Sequence, residues 1–105
     1  MLRVILVLAL LAGGCTKPLA ADASGEDVYT ARCASCHGDR LQGGGGVLSP
    51  RGPGLGPGSV AAGRSDDYYL QTIRNGNGRM PPVRGLTEQQ IDRVISFIRR
   101  VQGGA

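Results

Sequence analysis

The clearest periodicity in the chain lies near its C-terminus, where Ile91, Val94, Ile95, Ile98 and Val101 recur at spacings of three and four and Phe97 widens the stripe. That spacing gathers the apolar side chains on one face of an α-helix. Thr87 and Gln90 stand at capping-box spacing at its start, with Leu86 placed to staple against Ile91. Another helix is predicted after Ser65, its cap: Asp66 and Asp67 fall in the electropositive first turn, Tyr69, Leu70 and Ile73 share a face, and Gly76 is the stop. The earliest helix runs from Ser24 to about Ala34, with Ser24 as cap, Glu26 and Asp27 in the first turn, and Val28 and Tyr29 supplying the apolar face. No stretch alternates with period two for long enough to make a strand, so an all-α fold of about three helices is expected.

The N-terminus reads differently. Arg3 is followed by an apolar run from Val4 to Ala12 and then Gly13, Gly14 and Cys15. The run is too short to span a bilayer as a helix, and it has the charge and apolar regions of a secretory signal. Leu11 to Cys15 resembles a bacterial lipobox, which predicts a signal over 1–14, cleavage before Cys15, lipidation of that cysteine, a tether over 15–23 and a folded domain over 24–105. Ala12 departs from the leucine more usual at its position. Cleavage after Ala21-Asp22-Ala23 is the alternative, since it fits the small-residue rule. The lipobox is favoured because Cys15 would otherwise be an odd thiol in an exported protein. A lipid anchor would hold the domain at a membrane surface, on the periplasmic or outer face.

Composition narrows the picture. One small domain is the only option at this length. The chain has four aromatic residues and no tryptophan, so its own core is modest and a large apolar group would add to it. The formal charge is +4, and removal of Arg3 with the signal brings it to +3. Lys17 is the single lysine and the arginines are scattered, so nucleic-acid binding has no support.

Candidate chemistry is concentrated in Cys33-Ala34-Ser35-Cys36-His37, the C-x-x-C-H attachment signature of a c-type haem. Two thiols three positions apart can each bond one haem vinyl group, and the adjacent imidazole is delivered to the iron. Zinc normally takes four ligands, and the chain has one other cysteine and no other histidine. A thioredoxin-like dithiol would sit beside a strand-helix-strand pattern, which is missing around Cys33. One haem c, held covalently by Cys33 and Cys36 with His37 as proximal ligand, is therefore expected. The second axial ligand follows by elimination, because Met80 is the only methionine besides Met1. Gly76 and Gly78 before it, and Pro81 and Pro82 after it, suit a loop that presents a thioether. From Gly38 to Gly63 the chain is dominated by glycine and proline, which reads as a loop wrapped over the cofactor rather than as a linker. It contains no phosphate-cradling motif.

Taken in order, Gly25, Tyr29, the C-x-x-C-H run, Gly52-Pro53-Gly54-Leu55, Met80-Pro81-Pro82, and Val94 with Phe97 resemble the class I cytochrome c family over essentially the whole mature domain. The resemblance implies a small cytochrome c fold in which the first and last helices cross at Gly25 and Tyr29 against Val94 and Phe97. It also implies that Pro53 supplies a carbonyl to the proximal histidine. Among Arg51, Arg64, Arg74 and Arg79 it does not single out a partner for the haem propionates. The function expected is single-electron transfer rather than enzymatic catalysis, from a quinol-oxidising complex or dehydrogenase to an oxidase or reductase. A gas-binding or sensor module with a displaceable Met80 is the rival reading.

Overall fold

The computed structural model describes residues 18–44 and 52–104. Among them stand four α-helices and one 3-10 turn: α1 (Gly25–Arg32), α2 (Ala34–His37), the 3-10 turn Ala61–Gly63, α3 (Asp66–Asn75) and α4 (Glu88–Val101). No strand occurs among the described residues, and the one β-type pairing is an isolated bridge between Asn77 and Met80. The signal and lipidation site expected over 1–15 lie outside the described residues. No described helix is long and apolar enough to cross a membrane.

Each predicted cap forms. Ser24 accepts from the Asp27 N–H at 3.1 Å, Ser65 from the Tyr68 N–H at 3.1 Å, and Thr87 and Gln90 exchange both bonds of a capping box. The first helix is shorter than expected. Cys33, at φ −120° and ψ −37°, closes α1, and its carbonyl then accepts from Cys36 and His37 to start the single turn of α2.

The centre of the molecule is the crossing of α1 and α4. Val28 and Val94 are fully buried, and the Tyr29 and Phe97 rings stand 5.6 Å apart at a tilt of 49°. A side chain at Gly25 would overlap the Arg93 carbonyl and come within 2.8 Å of the Phe97 Cβ, so glycine is what lets the two helices approach. The crossing anticipated from the resemblance is present at those positions. Tyr69 and Ile73 bring α3 into the same apolar cluster, beside Ile91, Ile95 and Ile98 of α4.

The glycine-rich connection is tied down where it is described. Leu41 is buried at a positive φ of 60°, and its carbonyl accepts from the Leu55 and Gly56 N–H groups at 2.8 and 3.1 Å. At the far end, Gln102 donates to the Leu55 carbonyl and to the Tyr69 hydroxyl, which in turn donates to the Ala61 carbonyl at 2.6 Å. Arg99 lies 4.5 Å over the Tyr69 ring and donates to Asp66 and to the Ala62 and Arg64 carbonyls. The end of α4 thus clips the loop to the core.

Residues 18–23, expected as part of a tether, lie against α4. Leu19 packs on the apolar cluster and Ala23 is buried within it. Gln90 donates to the Ala20 carbonyl at 3.1 Å, and Arg93 reaches the Ala21 and Ala23 carbonyls. The folded unit consequently begins before Ser24.

Candidate functional site

The turn of α2 sets the chemistry. A helical turn brings residues i and i+3 to one side, so Cys33 and Cys36 are presented together with His37 next to them. Neither cysteine is in a disulfide. Burial, and after it the neighbouring Cys36, push the Cys33 thiol up to about 12, with Arg32 opposing. Burial thus shields this sulfur, unlike the exposed, low-pKa cysteine of a redox or nucleophilic site.

His37 is 7% exposed, and its Nδ1 lies 2.8 Å from the Pro53 carbonyl oxygen. A carbonyl can only accept, so Nδ1 carries the proton and donates. That leaves Nε2 as the ring atom that can offer a lone pair to a metal. The partnership spans 16 residues and depends on close approach of the backbone. A Cβ on Gly52 would sit 2.7 Å from His37 Cε1 and Nδ1, so glycine at this position is what admits the ring. The Gly52 N–H donates to the Cys36 carbonyl at 2.8 Å, and the Gly43 N–H to the His37 carbonyl at 2.6 Å. Two thiols on one turn, an imidazole with a fixed tautomer and a small-residue cradle fit a covalently bound haem. They do not fit zinc, because no group of three or more His, Cys, Asp or Glu side chains placed to hold a metal occurs among the described residues.

Met80 stands on a separate loop beyond α3. Asn77 and Met80 exchange two backbone hydrogen bonds at 2.9 Å around Gly78 and Arg79, with positive φ at Gly78 only, the pattern of a type II′ hairpin turn. Gly76, at φ +76°, has the Met80 carbonyl and Pro82 in the space a side chain would need. The Val83 N–H donates to the Ile73 carbonyl at 2.8 Å and returns the chain to α3. Met80 is half-buried.

Of the four arginines considered for the propionates, Arg74 is paired with Glu88 and Arg64 lies 5.0 Å over the Tyr68 ring. Arg51 is outside the described residues, and Arg79 occupies the turn that precedes Met80. Sequence reasoning found Cys33, Cys36, His37 and Pro53, which the fold brings together. It placed Tyr29 at the helix crossing but missed the role of its hydroxyl, which donates to the Gly38 carbonyl at 2.7 Å just after the Cys-His turn, and it passed over Gln102 and Arg99. A buried tyrosine eight residues before His37 was the available sign that a polar partner was needed.

The comparisons agree with this geometry. The model of a family described as cytochrome C oxidase, cbb3-type, subunit III matches residues 20–98. Cytochrome c-551 of Bacillus subtilis (strain 168) is 32% identical over 82 residues, which are 77% of this chain and 63% of that protein. The crystal structure of cytochrome cL from Hyphomicrobium denitrificans is similar with a TM-score of 0.57 and 32% identity over 74% of this chain, but 45% of that one. This chain thus spans less than two thirds of either relative. Cytochrome c6 from the diatom Phaeodactylum tricornutum, at 23% identity and a TM-score of 0.56, shares the fold over 75% of this chain and 91% of its own. The chain therefore belongs to this family of c-type cytochromes, with the small class I cytochrome fold and one covalently bound haem c.

Proposed function

We propose that the protein is a single-electron carrier in which His37 Nε2 and the Met80 thioether are the two axial ligands of the haem iron. When bound, the haem supplies a one-electron ferrous–ferric couple. Cys33 and Cys36 fix the ring to the α2 turn, so it stays in place in both oxidation states. The Pro53 carbonyl orients the imidazole and raises its basicity through Nδ1–H. Met80, a soft neutral ligand, favours the ferrous form and raises the potential. The observation that carries this reading is the 2.8 Å Nδ1 to Pro53 contact beside the paired thiols, which leaves Nε2 as the ligating atom. Reduced protein is expected to be low-spin and to resist carbon monoxide. Met80→Ala should bind carbon monoxide readily and show a clearly lower potential in a redox titration; an unchanged potential would remove Met80 from the ligand set.

The same reading places the protein outside the cytoplasm, lipid-anchored through Cys15 at a bacterial membrane surface. Cleavage after Ala23 would strip away the carbonyls that Gln90 and Arg93 bind, whereas cleavage before Cys15 keeps them. Donor and acceptor are redox proteins, a quinol-oxidising complex or dehydrogenase on one side and an oxidase or reductase on the other. Intact mass of the purified protein should show a chain starting at Cys15, with acyl groups and one porphyrin; a chain starting at Ser24 would contradict the anchor.

A further inference from the structure

The loop that carries Met80 is held by one side-chain contact that none of the roles above uses. Tyr68 lies in the first turn of α3, 38% exposed, with the Arg64 guanidinium 5.0 Å over its ring, and its hydroxyl accepts a surface hydrogen bond from Asn77 Nδ2 at 2.9 Å. Asn77 follows the C-cap Gly76 and is the residue whose backbone pairs twice with Met80. The chain therefore turns back along α3, and the phenol holds the near end of the hairpin while Val83 and Ile73 hold the far end. No other side-chain hydrogen bond fixes residues 76–83 among the described residues.

We propose that Tyr68, acting through Asn77, is a positioning residue that latches the Met80 loop closed and so limits access of small external ligands to the iron. The proposal rests on Met80 being an axial ligand. A hydrogen bond of this kind is worth about 1 kcal/mol, which is about a fivefold change in the open fraction of the loop. Where the open form is the one that binds, apparent affinity scales with that fraction.

The test is carbon monoxide titration of the reduced, full-length holoprotein. Tyr68→Phe and Asn77→Ala should each tighten apparent binding by about fivefold, and the double variant should add little to either single one, because both remove the same contact. Asn77→Asp should restore tight closure, since the phenol can then donate to the carboxylate. Gln71→Ala, which removes an exposed side-chain contact with Asn75 on the same helix, should leave binding unchanged. Amide exchange at Met80, read without added ligand, should speed up by a similar factor in Tyr68→Phe. If Met80→Ala does not itself admit carbon monoxide, the ligand assignment fails and the latch with it. If Met80→Ala does so but Tyr68→Phe and Asn77→Ala match the parent in binding and exchange, the latch alone is overturned.

Discussion

Gly25 has no room for a side chain because the Arg93 backbone and Phe97 occupy the space, so Gly25→Ala must push α1 from α4. The expected cost is about 1–3 kcal/mol of unfolding free energy, measured by denaturant titration. At Tyr29, burial and then the neighbouring Cys33 sulfur push the phenol up to about 12 from 10.0, with Asp39 adding and a hydrogen bond from Leu41 opposing. A thioether cannot ionise, so in the holoprotein burial, with the smaller effect of Asp39, is what raises it. Because the fold favours the protonated phenol, the folded state binds more protons than the unfolded chain between these two values. Its contribution is complete below about pH 10 and is lost as pH rises toward 12. Chemical denaturation across that range should show the decline in the parent, and a smaller one in Tyr29→Phe. Gly25 and Tyr29 were legible as a helix crossing through their resemblance to a known pattern. The bond from Tyr29 to the Gly38 carbonyl was not, because it depends on how the chain folds back after His37.

At the scale of elements, the caps and the apolar stripe of α4 were readable because both are local: each depends on residues three or four apart. Thr87→Ala should cost about 1 kcal/mol in a thermal or denaturant melt, since it breaks one arm of the capping box. Glu88→Gln should change stability by less than about 0.5 kcal/mol, because its pair with Arg74 lies on the surface where solvent screens it. The break at Cys33 was not readable: nothing local to Arg32-Cys33-Ala34 disfavours a continuous helix, and the turn is set by its partners Gly38, Gly43 and Gly52. The strap over residues 19–23 escaped notice for a similar reason. Its carbonyls are bound by Gln90 and Arg93 some 70 residues away, which no periodicity records.

For the whole molecule, the helices leave a modest apolar cluster, and the loops around the Cys-His turn close on a site that the haem completes. A Cys33→Ala/Cys36→Ala chain, unable to attach haem, should lose most cooperative unfolding in a circular-dichroism melt, because it lacks the large apolar ring that completes its modest core. The C-x-x-C-H turn was legible as one contiguous motif; Met80 was reached by elimination, and the Pro53 partner needed the family pattern because it lies on another segment. The central claim is the His37 and Met80 pair on one covalent haem, and a proton NMR spectrum of the reduced holoprotein tests it most directly. Met80 is the only methionine besides Met1, so a bound thioether should give one three-proton resonance shifted far upfield by the haem ring current. A methionine methyl signal at its ordinary position, with nothing upfield, would contradict the account.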